Sequence, residues 1–214
     1  MIHVMIKKKR TKQTSIYENT PIKDKIAIDI EWKGPYAWPK FETESNLPAI
    51  PKHPGVYLQT STYENGYIIY AAGITRRPIP QRLREHTRKY LSGDYTILDM
   101  DAMKHGVRKE IWHGWGWTPE KRREYERRKS ELLEAAKKQL SKFCIFVADV
   151  STEPRILERI EGAIMYTLYE NTHPFCDIPD RGMQLSPRWK RESPITAFMH
   201  CHVELYGIPK QLEI

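Results

Sequence analysis

The stretch YAAGITRRPIPQRLREH (residues 70–86) joins the end of an apolar run to the start of a cationic helix. Tyr70 closes the apolar run, and Pro78 and Pro80 suit a first helical turn, where proline is tolerated. Arg82 and His86 are four residues apart, so they are neighbours on the surface of that helix. A site that handles phosphate needs this arrangement, in which clustered cationic side chains directly follow a buried strand.

Two strands are predicted upstream of this helix. GVYLQT (residues 55–60) and YIIYAA (residues 67–72) are rich in β-branched and aromatic residues. Between them, YENG (residues 63–66) contains Asn-Gly, a strong signal for a β-hairpin. The two strands are therefore predicted to pair.

Downstream, the pattern changes to long helices around one more strand. A charged helix is predicted over residues 118–143 with Thr118 as its N-cap, followed by a strand over 143–150 and a helix over 151–171. The resulting order from residue 55 is β-β-α-α-β-α. It predicts an α/β or α+β fold in which helices flank a small central mixed three-stranded sheet.

The flanking segments carry weaker signals. KIAIDI (residues 25–30) alternates like a short strand, and the proline-rich segments 33–40 and 46–55 predict irregular extended chain. FMHCHVELYG (residues 198–207) predicts a short strand or helix. KKKR (residues 7–10) is a candidate phosphate-binding arm, although a solvated tail is the simpler interpretation.

Composition favours a polyanionic partner. The chain has 214 residues, 35 Lys and Arg against 27 Asp and Glu, and a formal net charge of +8. A basic surplus of this size is typical of proteins that bind nucleic acid, and the alternative is a merely soluble basic protein.

No segment reaches the roughly 18 apolar residues that span a bilayer, so no membrane is expected as a partner. Three cysteines without a CxxC pair, and a start that does not resemble a signal peptide, favour a reducing compartment and predict a cytoplasmic protein.

Residue spacing alone identifies several candidate functional side chains. Leu157, Glu161, Ile164 and Leu168 step by four, three and four, which places Glu161 within an apolar helix stripe. Such a glutamate either reaches outward to solvent or an arginine, or binds a metal ion, and spacing does not choose between these. Tyr57 and the tyrosine at position 70 lie on the paired strands, where they form either ordinary core packing or a functional pair.

Together these pieces resemble the GIY-YIG nuclease family. The resemblance consists of GVY (Gly55–Tyr57), a strand that ends in Tyr70 with Gly73 after it, RLREH (Arg82–His86), and the glutamate of IEGAIMYTLY (residues 160–169), and it covers about residues 53–178. It implies a nuclease core at 53–178 with an insertion loop at 92–118, an N-terminal extension at 1–52 and a C-terminal extension at 179–214.

The sequence departs from the family pattern in the second motif, and one further family position has two candidates. The second motif has tyrosine, one residue, then glycine, whereas YAAG has one residue too many. Either Ala72 replaces the glycine, or the turn holds an insertion, or Ala71 stands where the tyrosine should be. The family also often ends its core with an asparagine after the metal-binding helix, and both Asn171 and Asp177 are candidates for that position.

The resemblance implies a mechanism for phosphodiester hydrolysis. Glu161 would bind one divalent metal ion, most simply Mg²⁺ with Mn²⁺ as the alternative, since Mg²⁺ keeps most of its waters. Arg82 would stabilise the charge that builds on the phosphate, because guanidinium matches phosphate in a two-pronged geometry. Tyr57 would orient or deprotonate the attacking water, helped by Tyr70, His86 or the metal, because a free phenol is a poor base at neutral pH.

Substrate recognition is assigned to the insertion loop and to scattered basic residues. The tryptophans of WHGWGW (residues 112–117) could stack on bases, or could instead pin the loop to the core. The candidate nucleic-acid contacts are Arg76, Arg77, Trp115, Trp117, Lys121 and Arg188.

The expected function is that of a metal-dependent DNA endonuclease. A stand-alone enzyme with its own additions most resembles a restriction or defence nuclease that cuts double-stranded DNA. The alternatives are a structure-selective repair or recombination nuclease, a nucleic-acid-binding module that does not cut, and an RNA-directed enzyme. The oligomeric state, homo-oligomer included, stays open at this stage.

Overall fold

A computed structural model describes residues 26–150 and 153–214 of the chain. The KKKR segment therefore lies outside the described residues. The strands are β1 (Ile26–Ala37), β2 (Gly55–Tyr63), β3 (Gly66–Thr75), β4 (Ile97–Leu98), β5 (Glu110–Trp112), β6 (Cys144–Ala148), β7 (Ile195–Cys201), β8 (Leu205–Tyr206) and β9 (Gln211–Glu213). The helices are α1 (Glu42–Ser45), α2 (Ile79–Leu91), α3 (Met100–Met103), α4 (Pro119–Lys142) and α5 (Pro154–Tyr169).

The main element order follows the prediction. The hairpin of β2 and β3 leads into α2, then α4, β6 and α5, so the class is α+β. Helix α4 begins at Pro119, and the Thr118 side chain accepts a hydrogen bond from the amide of Lys121 as its N-cap. The insertion at 92–118 is more ordered than a loop, because it contains the β4–β5 ribbon and α3.

The predicted small three-stranded sheet is wrong in size. The described strands form a seven-stranded mixed sheet in the order β8-β3-β2-β6-β1-β7-β9, with the β4–β5 pair separate. Its centre, β3-β2-β6, is antiparallel throughout. The parallel pairs arise where the flanking segments join it, at β1–β7 and β3–β8.

The flanking segments complete the central sheet. β1 extends well past the predicted short strand and pairs with β6 on one side and with β7 on the other. Ile26 is the register partner of Ile195, so the first described strand pairs with a strand from the C-terminal flank. Residues 198–207 are extended, as β7 and β8, and not helical. The division into a core with two extensions stays a prediction, and its flanks share one sheet with the core.

A β-bulge in β3 lies at Tyr70, the first residue of YAAG. Gln59 pairs with Ala71, but Thr60 pairs with Ile69, which leaves Tyr70 as the additional residue. Tyr70 and Ala71 consequently both belong to the core on the α2 and α4 side of the sheet. The bulge lies within the strand and before Ala71, so the three interpretations of YAAG stay predictions.

Two apolar cores lie on the two faces of the sheet. Helices α2 and α4 cover one face, where Leu83 and Leu140 are fully buried. Helix α5 covers the other face through Leu157, Ile164 and Leu168. None of the helices in the described parts of the chain combines the length and apolar character needed to cross a bilayer.

The outer edge of β3 is only partly covered by a strand. Within the described residues β8 pairs with Tyr67 and Ile68 alone. Farther along this edge, the amide of Ala72 donates to Sδ of Met165 at 3.1 Å, and the carbonyl of Tyr70 accepts from the amide of Asp180 at 2.9 Å. Helix α5 and the segment after it thus stand at the edge of β3 in place of a further strand.

Candidate active site

A cavity of about 440 Å³ opens at this edge of the sheet. It is bounded by β2, β3, α2, α5, the insertion and the segment 180–184. Its lining includes all five predicted catalytic side chains, Tyr57, Tyr70, Arg82, His86 and Glu161. Residues far apart in the chain thus converge on one cavity, and their catalytic roles stay predictions.

Tyr57 and His86 form the centre of a hydrogen-bonded chain. The Tyr57 hydroxyl lies 3.0 Å from Nε2 of His86, and Nδ1 of His86 lies 3.1 Å from the hydroxyl of Tyr95. Burial, together with the nearby positive charge of Arg82, lowers the pKa of His86 to about 4. The imidazole is therefore neutral at neutral pH, so one ring nitrogen donates and the other accepts.

Gly73 leaves the space that the Tyr57 ring occupies. The two residues are register partners across the β2–β3 pair, and a Cβ at position 73 would overlap the Tyr57 ring and hydroxyl. A glycine at this point is thus a packing requirement of the site.

Arg82 faces the cavity beside the Tyr57 hydroxyl. Glu85, the carboxylate within ion-pair distance of Arg82 among the described residues, is bound by Arg77 through both its oxygens at 2.7 and 2.9 Å. Arg82 reaches the same carboxylate only at 3.5 Å. Burial raises the pKa of Tyr57 well above its ordinary value, and the positive charge of Arg82 acts against that rise. Arg82 therefore stabilises negative charge at this position.

Glu161 is half-buried on α5, on the helix face that the spacing predicted. Burial raises the pKa of Glu161 to about 7, against a hydrogen bond from the backbone of Ile74 and the positive charge of Arg82. Among the described residues, no cationic side chain lies within ion-pair distance of the carboxylate. A partly desolvated carboxylate without a protein counter-ion fits a hard divalent cation that keeps most of its waters.

Tyr70 reaches the cavity from the bulge in β3, and it is as buried as Tyr57. Its ring stacks on Phe143 with centroids 5.5 Å apart, and burial raises the pKa of its phenol well above the ordinary value. It lies next to the Tyr90 hydroxyl, which donates to Gln59 at 3.2 Å. Tyr70 is thus brought to the site, but as part of its aromatic floor.

Asn171 and Asp177, the two candidates for the asparagine that the resemblance places after α5, do not line this cavity. Asn171 uses its side chain for Gly207 and Thr172, and Asp177 lies in an exposed cluster with His173 and Cys176. Those three groups already contact one another, and they carry no metal assignment here.

Asp180 lines the cavity instead, and sequence analysis did not identify it. Tyr95 was missed as well, although it completes the chain from Tyr57 and His86. Both follow irregular stretches, where no periodicity marks a side chain. The proximity of Tyr95 to RLREH, nine residues after His86, is the one local signal that could have identified it.

The six candidate nucleic-acid contacts do not form one surface. Trp115 lines the cavity, whereas Trp117 donates to Asp94 at 2.7 Å and packs against Tyr125. Nζ of Lys121 donates to the carbonyls of residues 114, 115 and 116 at 2.8, 2.7 and 3.0 Å.

The remaining arginines differ in their freedom. The side chain of Arg76 is 69% exposed and approaches Glu158 no closer than 4.0 Å, whereas Glu85 binds Arg77 directly. Arg188 binds Glu213 and a backbone carbonyl. Of the basic candidates, Arg76 is thus the least engaged within the protein.

Comparison with known proteins returned no relative. No protein-family model matches the chain, and neither a curated protein nor a solved structure is significantly similar to it.

Proposed function

We propose that this chain is a metal-dependent nuclease that hydrolyses phosphodiester bonds of DNA. The observation that carries the proposal is the convergence of Tyr57, Arg82, His86 and Glu161 on one cavity. They come from β2, α2 and α5, and core packing requires none of their polar groups to meet. Phosphodiester hydrolysis needs a positioned water, a proton acceptor and positive charge on the phosphate, and this set provides each.

Tyr57 and His86 are the proton-handling pair. If Nδ1–H of His86 donates to Tyr95, then Nε2 accepts from the Tyr57 hydroxyl. The phenol oxygen is then free to accept a hydrogen bond from the attacking water and to orient it. A neutral imidazole with a pKa of about 4 accepts a proton weakly, so the arrangement favours transient transfer along the chain over a stored charge.

Arg82 is the phosphate ligand. Its guanidinium lies beside the Tyr57 hydroxyl, and its acidic neighbour is already bound by Arg77. It can therefore turn two donors toward the phosphate oxygens as their charge grows.

Glu161 would hold the divalent cation. A bound Mg²⁺ or Mn²⁺ would supply Lewis-acid stabilisation of the phosphate and of the leaving oxygen. The carboxylate itself must be charged to bind it, and a pKa of about 7 makes binding favourable at neutral pH and weaker in acid.

The polymer substrate is inferred from charge. The net charge of +8 favours a polyanion over a small phosphate ester. Arg84 and Arg88 lie on one exposed face of α2, next to the turn that carries Arg82. A restriction or defence nuclease on double-stranded DNA is the form we favour, because the insertion adds aromatic side chains at the cavity. The intact set of polar side chains argues against a module that only binds.

Incubation of the purified protein with supercoiled plasmid and Mg²⁺ tests the proposal, with EDTA and Glu161→Gln as controls. We expect cutting in Mg²⁺ only, and none by the variant. Discrete bands would indicate sequence specificity, and cutting confined to branched DNA would support a repair role. Cutting of RNA but not DNA, or binding without cutting, would overturn the proposal.

A further inference from the structure

Trp115 is held rigidly at the mouth of the cavity. Its backbone is left-handed, with φ of 56°, a conformation that a bulky residue adopts only when its surroundings enforce it. The three carbonyls bound by Lys121 belong to Trp115 and its two neighbours, and these bonds fix the loop.

The Trp115 ring is partly packed against the protein and partly exposed. It lies 5.1 Å from the Tyr95 ring, centroid to centroid, and a Cβ at Gly182 would overlap it. Nevertheless 39% of the residue is exposed, on a cavity wall. Its loop neighbour Trp112 is 4% exposed and donates to Gly93 at 2.7 Å, so Trp112 serves only the core. A preorganised and partly exposed aromatic ring on a cavity wall is suited to stacking on a base.

Asp180 brings a carboxylate to the same end of the cavity. Its backbone is anchored twice, by its amide to the Tyr70 carbonyl and by its own carbonyl to the Tyr169 hydroxyl at 2.6 Å. The carboxylate accepts from the amide of Gly182 at 3.3 Å. In the part of the chain that the structure describes, it forms no ion pair. Burial raises the pKa of Asp180, while hydrogen bonds to Gly182 and Trp115 and the charge of Arg108 counteract that rise. With the backbone of Arg181 these bonds occupy three acceptor positions of the carboxylate, and the fourth remains to accept a further donor.

A carboxylate at this end excludes a phosphate and selects hydrogen-bond donors. Nucleobases with an exocyclic amino group present such donors, and carboxylates accept from cytosine N4 in known readout. The ring of Trp115 is linked to His86 through Tyr95, with centroid distances of 5.1 and 5.5 Å. This separation is short enough for one nucleotide to reach from the Trp115 ring to His86.

We propose that Trp115 and Asp180 form a nucleobase subsite, in which the indole stacks on an unpaired or flipped base beside the scissile phosphate and the carboxylate accepts from its exocyclic amino group. The subsite rests on the proposed nuclease function and adds the requirement that this base leave the double helix. It makes cytosine and adenine good occupants, and thymine, which lacks the amino group, a poor one.

Binding of the 12-mers dC12, dA12 and dT12, followed in EDTA by quenching of tryptophan fluorescence, tests the subsite without cleavage. We expect the wild type to prefer dC12 and dA12 over dT12 by about tenfold, the scale of one hydrogen bond to a charged group. Asp180→Asn should bring the three affinities close together. Trp115→Phe should lose most of the quenching, and Trp115→Ala about tenfold in affinity. Circular dichroism checks that each variant is folded.

Trp117 provides the matched control. It lies in the same loop and is 36% exposed, but it does not line the cavity. Trp117→Phe should keep the quenching and the base preference.

The outcomes separate the subsite from the nuclease. Normal quenching in Trp115→Phe, or an unchanged base preference in Asp180→Asn, overturns the subsite even if plasmid is cut. Quenching that depends on Trp115, in a protein that never cuts in Mg²⁺, supports the subsite and rejects the nuclease. Absence of any binding to DNA rejects both.

Discussion

Replacing Glu161 by glutamine should stabilise the protein at alkaline pH. The pKa of Glu161 is about 7 in the folded protein and 4.5 ordinarily, so the folded state binds the proton more tightly. The wild type therefore loses stability as pH rises from about 4.5 through about 7. At 1.36 kcal/mol per pKa unit, ionisation costs about 3 kcal/mol at pH 8 but under about 1 kcal/mol at pH 5. A glutamine at this position would keep the shape and an acceptor for Ile74, without the charge.

Urea unfolding of both proteins in EDTA at pH 5 and pH 8 measures this difference. We expect the free energy of unfolding of Glu161→Gln, relative to wild type, to increase by about 2 to 3 kcal/mol between the two pH values. Glu170, at the exposed C-terminal end of the same helix, gives the control, and Glu170→Gln should stay within about 0.5 kcal/mol of wild type.

Added Mg²⁺ then tests the metal assignment independently of cleavage. At ten times its dissociation constant, Mg²⁺ should stabilise the wild type at pH 8 by about 1.4 kcal/mol and leave Glu161→Gln unchanged. Equal pH dependence in the two proteins would refute the desolvated carboxylate. Equal stabilisation of both by Mg²⁺ would refute Glu161 as the metal ligand.

Three further substitutions test the remaining parts of the site. Tyr57→Phe should lower the single-turnover cleavage rate about a hundredfold or more, and Tyr70→Phe less; a larger loss for Tyr70→Phe in the same assay would reverse their roles. Arg82→Ala should lower the rate at saturating DNA far more than affinity, whereas Arg127→Ala, exposed on α4, should weaken binding and its salt dependence only, as rates and salt titrations would show. Gly73→Ala should displace the Tyr57 ring and lower the cleavage rate by at least about tenfold while circular dichroism stays native, and a fully active variant would contradict the close packing at this pair.

Local pattern predicted the parts of the site that lie on regular elements. The spacing of Leu157, Glu161 and Ile164 determines which face of α5 they occupy, because a helix has a fixed period. The same argument placed Arg82 beside His86. Both sets of side chains lie where the spacing puts them, and their chemical roles stay predictions.

The remainder of the site depends on long-range register that local pattern does not contain. Tyr70 faces the cavity only because a bulge opposite Gln59 and Thr60 shifts the strand by one residue. Asp180 arrives through backbone pairing with Tyr70, more than a hundred residues away in the chain. The number of strands in the sheet was underestimated because the added strands pair residues that are far apart in the chain, such as Ile26 and Ile195.

The parallel pair of β1 and β7 makes assembly of the sheet wait for late synthesis. Ribosomes deliver β1 first, and β6 can occupy one of its edges as soon as residues 144–148 emerge. The described partner of the other edge is β7, and until residues 195–201 follow, the backbone groups beside Ile28 and Ile30 lack that partner. We therefore expect nascent chains that stall after α5 to pair with one another through this edge, and so to aggregate more readily than the complete chain.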